Sequence, residues 1–189
     1  MTSKIIVSQY ISLDGVIQDP VGMENSGLGD WTGPFTRGPH GDRFKHAELF
    51  SVSAVLLGRT TYDGFAAVWP QVKDEEGFAD RINAMPKFVA SNSLSDAAWN
   101  NTTVLSGDVV AKVRALKETL DGDILIYGSA GLVHSLMPAG LIDQYNLMVY
   151  PTVLGRGTRL FPQEYSLGQL VFIDALPFND GIVHLRYAV

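Results

Sequence analysis

The fold is indicated most clearly by one stretch of sequence, Asp123-Ile124-Leu125-Ile126-Tyr127-Gly128-Ser129-Ala130-Gly131-Leu132. A short apolar run ends abruptly in small residues, and apolar residues then recur at helical spacing, at Leu132, Val133, Leu136 and Met137. This pattern predicts a buried strand that turns through glycine into a helix. The unpaired N–H groups at the start of such a helix favour an anion, so the turn is a candidate seat for a phosphate. A tight connection that binds nothing explains the same residues.

The bulk composition narrows the class of protein. The 189 residues are 46% hydrophobic and 18% charged, which is typical of a globular chain, and we expect one domain over residues 1–189. The net charge of -6 disfavours nucleic acid and anionic membranes as partners. Cysteine is absent, which excludes disulfides and thiolate chemistry. The chain has neither a signal-peptide layout nor an apolar run long enough to span a bilayer, so we expect a cytoplasmic protein.

Two further strands end in residues suited to phosphate. The apolar run Ala54 to Leu57 leads into Gly58-Arg59-Thr60-Thr61-Tyr62, where a helix is expected to start. Arg59 supplies a guanidinium, the side chain best matched to phosphate, although an ordinary surface arginine fits the pattern too. A third strand, Pro86 to Ala90, precedes Ser91-Asn92-Ser93, which either holds a ribose or 2′-phosphate or caps a turn.

The other segments complete an alternation of strands and helices. We predict strands over 4–13, 99–105 and 145–150 and a C-terminal hairpin over 170–175 and 182–187. Helices are predicted over 42–50 and 109–120, and in the first of them Phe44, Ala47, Leu49 and Phe50 are expected to face the core. This order predicts an α/β fold of three layers, with a mainly parallel sheet covered on both faces and an antiparallel C-terminal hairpin. The long loop over 18–41 is interpreted as a lid over a ligand.

Common nucleotide and metal motifs are missing. The chain has no Gly-x-Gly-x-x-Gly turn after a strand, no Walker A lysine, no His-Glu-x-x-His helix and no Gly-x-Ser-x-Gly elbow. His40, His46, His134 and His184 do not follow a metal-ligand spacing, so no metal site is expected. Three phosphate-compatible strand ends on one sheet nevertheless suggest an extended dinucleotide.

An ordered set of motifs resembles one enzyme family. The motifs are Ser12-Leu13-Asp14-Gly15, Leu57-Gly58-Arg59-Thr60-Thr61-Tyr62, Lys87-Phe88-Val89-Ala90-Ser91, Tyr127-Gly128-Ser129-Ala130, Gly140-Leu141-Ile142-Asp143 and Pro151-Thr152-Val153-Leu154-Gly155-Arg156-Gly157. Together they resemble the riboflavin-biosynthesis reductase domain, the C-terminal half of the bifunctional deaminase-reductase, which has the dihydrofolate reductase fold. The resemblance runs from Ile5 to Tyr187. Because the cysteines of the zinc deaminase are missing, the chain is similar to a stand-alone reductase domain.

The resemblance implies NADPH as cofactor and a homodimer as assembly. It implies that the adenosine side and the 2′-phosphate lie on Gly58, Arg59, Thr60, Thr61, Ser91, Asn92 and Ser93, and that the pyrophosphate lies on Gly128, Ser129, Ala130, Gly131 and Leu132. In this family the hydride reduces the ribosyl group of 5-amino-6-(5-phosphoribosylamino)uracil, a small heterocyclic substrate.

Two acidic residues are candidates for binding the substrate. Asp14 ends the first strand beside the expected nicotinamide site, where it either orients the substrate and stabilises a cationic imine or only forms a turn with Gly15. Asp42 lies roughly where folate reductases keep their substrate-binding acid, and it equally fits the N-cap or first turn of its helix. Gly15 and Trp31 complete the expected substrate side. The alternatives are a dihydrofolate reductase-like enzyme acting on a folate or pterin, and a non-catalytic nucleotide-binding dimer.

Overall fold

The protein is built on one sheet, seen in a computed structural model that describes residues 2–166 and 168–189. The strands are β1 (Ile5–Ser12), β2 (Ala54–Gly58), β3 (Lys87–Ala90), β4 (Thr102–Leu105), β5 (Ile124–Tyr127), β6 (Gln144–Tyr150), β7 (Val171–Pro177) and β8 (Val183–Ala188). The α-helices are α1 (Gly38–Phe50), α2 (Arg59–Val68), α3 (Phe78–Ala84), α4 (Val109–Thr119) and α5 (Ala130–Leu136). Short 3-10 turns cover Trp69–Gln71 and Asn179–Gly181.

The strand order brings the predicted phosphate-compatible ends together. It is β4-β3-β2-β5-β1-β6-β8-β7. All neighbours from β4 to β6 are parallel, and β8 runs antiparallel to β6 and β7. The predicted α/β class, mainly parallel sheet and C-terminal hairpin are therefore confirmed. Because β3, β2 and β5 are adjacent and parallel, their carboxyl ends open onto the same edge of the sheet.

The sheet separates two apolar layers. Ile124 and Ile126 of β5 face a cluster that includes residues of α4 and α5, whereas Leu125 and Tyr127 face a cluster that includes residues of α1, α2 and α3. This alternation follows from the two-residue period of a strand, and it buries the central strands on both faces. The three layers predicted from the sequence are therefore present.

Helix α1 differs from its prediction in where it starts and in which face it buries. It begins at Gly38, four residues before Asp42, so Asp42 is neither its N-cap nor in its first turn. Of the predicted core contacts Leu49 is fully buried, whereas Ala47 and Phe50 are exposed. Lys45 and Glu48 are buried instead. Their charges lie on the inner face because they pair with each other there, a contact that an apolar periodicity does not reveal.

Helix α3 is not among the elements predicted from the sequence. It is seven residues long and begins after Gly77, whose φ of +78° is left-handed. The carboxylate of Asp74 accepts hydrogen bonds from the N–H groups of Phe78 (2.9 Å) and Ala79 (2.6 Å), which caps the helix. The cap lies four residues ahead of the helix, farther than an N-cap motif reaches.

The loop over 18–37 is held by its own hydrogen bonds. Asp19 accepts bonds from the N–H groups of Glu24 (2.9 Å) and Ser26 (3.2 Å). Trp31, expected on the substrate side, packs edge-on against Tyr150 with 5.8 Å between ring centroids, and its indole N–H donates to the carbonyl oxygen of Gln18 (2.9 Å). Trp31 is therefore a core residue that anchors the loop.

Strand β7 forms one edge of the sheet. Val171, Phe172 and Ile173 are exposed along it. An exposed apolar edge is a surface on which another chain can pair, and the expected homodimer stays a prediction. Among the helices of residues 2–166 and 168–189, none is both long and apolar enough to cross a membrane.

Candidate functional site

A first cavity of about 450 Å³ opens at the carboxyl ends of β2, β3 and β5. It gathers all the predicted cofactor residues except Ser93 and Gly128: Gly58, Arg59, Thr60, Thr61, Ser91, Asn92, Ser129, Ala130, Gly131 and Leu132. Its volume is within the range of about 300–1,000 Å³ that is typical of small-molecule sites. Residues far apart in the sequence are thus brought to one cavity, at the edge of the sheet where open α/β folds bind ligands.

The turn between β5 and α5 joins two of these strand ends. Gly128 and Ser129 both have left-handed backbones, with φ of +60° and +62°. This sharp turn carries the Ser129 hydroxyl to β2, where it accepts a bond from the N–H of Gly58 (2.6 Å) and donates one to Thr61 Oγ1 (3.0 Å). A Cβ atom on Gly58 would lie only 2.6 Å from Ser129 Oγ, so this contact requires glycine.

The first cavity offers the donors that a phosphorylated ligand needs. Hydroxyl groups of Thr60, Thr61 and Ser91 line it, and the first turn of α2 has no side-chain cap. Arg59 supplies the cation: Nε contacts both carboxylate oxygens of Asp63 (2.9 and 2.8 Å), and Nη1 donates to Ser93 Oγ (3.3 Å). Ser93 does not line the cavity itself but contacts Arg59, which does. Cation, hydroxyls and free N–H groups suit phosphate and ribose.

Space for the ligand is open above α5. A Cβ atom built on Gly131 would meet nothing within 4 Å, although Gly131 lines the cavity. The small residues of this turn therefore leave room for a ligand to approach the backbone. The residues present fit a dinucleotide.

A second cavity, of about 480 Å³, lies between the sheet and helices α1, α2 and α3. Its walls are largely apolar and aromatic, and include Tyr10, Phe65, Trp69, Phe78 and Tyr127. Polar side chains also line it, from Ser8, Gln9, Arg37, Lys45, His46, Thr60 and Thr61 and from the acidic residues Asp19, Glu24, Asp42, Asp74 and Glu76. The two cavities share Ile17, Glu24, Thr60 and Thr61, so they meet. An apolar cavity with a few polar groups suits a planar organic ligand.

A buried polar cluster lies under the second cavity. Lys45 Nζ donates to Ser8 Oγ (2.7 Å) and to Glu48 Oε2, and Asn146 Nδ2 donates to Glu48 Oε1 (2.7 Å). Ser8 Oγ donates to Glu48 Oε2 as well (2.9 Å). Burial alone would raise the pKa of Glu48, but the Lys45 ammonium and these hydrogen bonds hold that pKa below its usual value. Glu48 is therefore an anion inside the fold.

Sequence reasoning missed this cluster, although a signal was present. Ser8 and Asn146 interrupt apolar strands, and Lys45 and Glu48 lie three residues apart on one helix. Polar residues in central strands and a charged pair on the buried face of a helix are costly unless they meet, because each charge must be compensated. Such a group beside a cavity is a candidate for function.

Asp42 lies at the second cavity but is engaged by a cation. Arg37 Nε donates to Asp42 Oδ1 (2.7 Å), and Arg37 Nη1 donates to the hydroxyl of Tyr10 (2.5 Å). The side chain of Asp42 is 55% exposed. The acid expected to bind a folate-type substrate is thus paired with Arg37 in a partly exposed position at the cavity.

Asp14 and Gly15 line neither cavity. The Asp14 carboxylate accepts hydrogen bonds from the Ser12 hydroxyl (2.7 Å) and from the N–H groups of Leu154 (3.1 Å) and Gly155 (2.8 Å). These bonds, the Ser12 hydroxyl foremost, lower its pKa to about 2. Gly15 has a φ of +85° and completes the turn. The surroundings of Asp14 support a structural turn that fixes the loop after β6, and they offer no contact with a ligand in either cavity.

Glu24 is the acid at the junction of the two cavities. It lies on the loop after β1 and lines both of them. Burial, together with the neighbouring charge of Asp19, raises its pKa. Within the described parts of the chain, no group of three or more histidine and acidic residues could hold a metal ion.

Known proteins resemble this chain in sequence and in fold. The uncharacterized protein YyaP of Bacillus subtilis (strain 168) is 25% identical over 187 residues, covering 97% of this chain and 94% of YyaP. A Shewanella sp. PV-4 protein assigned to riboflavin biosynthesis has a TM-score of 0.71 at 22% identity, over 100% of this chain and 98% of that one.

The dihydrofolate reductase fold is found among the solved structures as well. Dihydrofolate reductase from Enterococcus faecalis, complexed with NADP(H) and RAB-propyl, has a TM-score of 0.63 at 16% identity, with 100% of this chain and 98% of that chain covered. At such identities the likeness to the solved structures shows the fold. The family model of the RibD C-terminal domain matches residues 3–183, and the chain therefore belongs to the RibD C-terminal domain family.

Proposed function

We propose that the protein is an NADPH-dependent reductase that transfers a hydride to a small heterocyclic substrate, in the manner of the riboflavin-type reductases. The observation that carries this proposal is the meeting of the two cavities, which share Ile17, Glu24, Thr60 and Thr61. Hydride transfer needs donor and acceptor atoms about 3–3.5 Å apart, so the cofactor and substrate sites must open into each other.

The first cavity is the proposed cofactor site. The turn over 128–132 and the hydroxyls of Thr60 and Thr61 would hold the pyrophosphate, and Arg59 with the 91–93 segment would hold the 2′-phosphate. NADPH supplies the hydride when bound. The related fold of Enterococcus faecalis dihydrofolate reductase, which was solved with NADP(H), supports this assignment.

The second cavity is the proposed substrate site. The aromatic rings of Tyr10, Phe65 and Tyr127 would stack on or flank a planar ring and keep water away from it. A protein that only binds a nucleotide has no need of this second, largely apolar cavity beside the first. The cavity therefore favours an enzyme over a non-catalytic nucleotide-binding dimer.

A pyrimidine substrate is favoured over a folate. A folate-type site needs an unpaired acid to bind the amino-substituted ring, and the carboxylate of Asp42 is already bonded to Arg37 (2.7 Å). The resemblance to riboflavin reductases points to an aminopyrimidine.

Cofactor and substrate are tested in succession. Energy transfer from tryptophan to bound NADPH gives the affinity, and NADH gives the matched control without a 2′-phosphate. Pyrimidine, pterin and folate compounds are then screened for NADPH oxidation. We expect NADPH to bind tighter than NADH and a pyrimidine to be reduced. Reduction of dihydrofolate that is lost on Asp42→Asn would favour the folate alternative, and no affinity for NADPH would contradict the proposal.

A further inference from the structure

We propose that Lys45 binds the substrate directly, and this inference rests on the function proposed above. The ammonium of Lys45, a residue that lines the second cavity, contacts the carbonyl oxygen or imine nitrogen of the bond whose carbon receives the hydride. The substrate therefore presents an electronegative atom to this ammonium.

The hydrogen bonds of Lys45 leave one donor free. An ammonium carries three N–H groups. Two of them meet Ser8 Oγ (2.7 Å) and Glu48 Oε2, and no other side-chain or backbone acceptor in residues 2–166 and 168–189 bonds to Nζ. A buried ammonium with an unused donor is costly unless a ligand or a water completes it.

The ammonium of Lys45 lies over two tyrosine rings that line the second cavity. Nζ lies 5.0 Å from the ring centroid of Tyr127 and 5.7 Å from that of Tyr10, and both rings line the second cavity together with Lys45. Glu48 does not line the cavity, so Lys45 separates the carboxylate from the ligand space. The side chain of Lys45 is 9% exposed, so its charge acts where water is scarce and electrostatic interactions are strong.

Glu48 holds Lys45 in place. Three donors converge on its carboxylate, from Lys45, Ser8 and Asn146. This fixes the carboxylate on α1 between β1 and β6, and through it the position of Nζ. Glu48 is therefore a positioning residue, whereas Lys45 is the group that touches the substrate.

The chemistry follows from this placement. When a hydride adds to the carbon of a C=O or C=N bond, the π electron pair moves to the heteroatom, and the ammonium stabilises the negative charge that develops there. Lys45 then donates its proton to that atom and regains one from water. The substrate gains one hydride and one proton, and NADPH is left as NADP⁺.

The test uses 5-nitrouracil, a planar pyrimidine with two carbonyl groups whose absorption changes when it loses a ring proton. The full-length protein is titrated with this probe, with and without NADPH, and the acidity of the bound probe is read from its spectrum. We expect the wild type to bind the probe and to make it more acidic, because an adjacent ammonium favours the anion.

Two variants separate a substrate contact from a structural role. Glu48→Gln removes the carboxylate that positions the ammonium, and we expect a smaller spectral shift than in the wild type. The double variant Lys45→Met with Glu48→Gln replaces the ion pair by neutral groups, so that no lone charge is buried. We expect it to bind the probe roughly tenfold more weakly without the shift, and to bind NADPH as the wild type does.

Two results would overturn the role of Lys45. One is an equal affinity and an equal spectral shift in the double variant. The other is a wild type that binds NADPH but not the probe. Failure of the wild type to bind NADPH would instead count against the proposed function, so the two failures can be told apart.

Discussion

The Ser129 hydroxyl accepts a hydrogen bond of 2.6 Å from the backbone N–H of Gly58, and so joins the end of β5 to the end of β2. It also donates to Thr61 Oγ1 (3.0 Å). Two strand ends that line the first cavity are thereby held together without any ligand. A site that is rigid before binding spends less free energy on ordering when the ligand arrives.

Replacing Ser129 tests this link. Ser129→Ala leaves the N–H of Gly58 without its partner, and we expect a loss of about 1–3 kcal/mol in the free energy of unfolding. Ser129→Gly loses the same bond but relieves the left-handed backbone at φ +62°, and we expect it to be more stable than the alanine variant by roughly 1 kcal/mol. Urea unfolding measures both. A glycine variant less stable than the alanine variant would contradict this account.

Arg59 should select for the 2′-phosphate. Because a charged hydrogen bond contributes about 1.5–3 kcal/mol, we expect Arg59→Ala to weaken NADPH binding by roughly 10- to 100-fold and to leave NADH binding unchanged. Fluorescence titration with each nucleotide measures this. Arg114→Ala, on the exposed side of α4 and outside both cavities, is the matched control. Equal losses for NADPH and NADH would assign Arg59 to another part of the nucleotide.

Asp14 should matter for stability and not for hydride transfer. Asp14→Asn removes the charge that accepts the Ser12, Leu154 and Gly155 bonds, and we expect it to destabilise the protein by about 1–3 kcal/mol. The pKa of about 2 means that the carboxylate's contribution is present above its ordinary pKa of 3.8 and is lost as the pH falls through 2. Turnover that collapses in a stably folded Asp14→Asn variant would restore its catalytic role.

His184 should make the protein sensitive to mild acid. Burial lowers its pKa to about 4, and the opposing charges of Glu48, Lys45, Arg186 and Asp174 face it. Its ring packs on Phe44, with 4.2 Å between centroids, and Nδ1 has no partner among the described residues. The imidazole ring of His184 is therefore neutral in the folded protein at pH 7.

The sign of the effect follows from the lowered pKa. Above pH 6.5 the ring is neutral in both states and contributes nothing. As the pH falls from 6.5 to about 4, the unfolded chain binds a proton that the fold does not, and stability drops by up to roughly 1.4 kcal/mol per pH unit. His184→Phe should remove this component, so the difference in unfolding free energy between wild type and variant should change across that window. A constant difference would show that His184 titrates normally.

The sequence predicted the sheet well because its central strands are short apolar runs that end in glycine or serine. The same ends allowed the first cavity to be predicted from Gly58, Ser91 and Ser129. Parallel strands place their carboxyl ends on one edge, so local patterns were enough there.

The second cavity could not be predicted in this way. Lys45 lines it and Glu48 lies beneath it, and these two residues of α1 meet Ser8 of β1 and Asn146 of β6, contacts between segments distant in sequence. For Asp14 the sequence left a catalytic role and a turn open, because an acid before glycine at the end of a strand suits both. Its actual partners, Leu154 and Gly155, lie some 140 residues farther along the chain.

Titration calorimetry of NADPH with Gly131→Leu tests the central claim most directly. The new side chain would enter the first cavity and meet no protein atom within 4 Å of its Cβ, and leucine favours a helix more than glycine does. Ala115→Leu, on the exposed side of α4, is the matched control. We predict that Gly131→Leu stays at least as stable as the wild type yet loses NADPH binding by tenfold or more, on the order of 1.4 kcal/mol, whereas the control binds normally. Unchanged NADPH affinity in a folded Gly131→Leu protein would contradict the account.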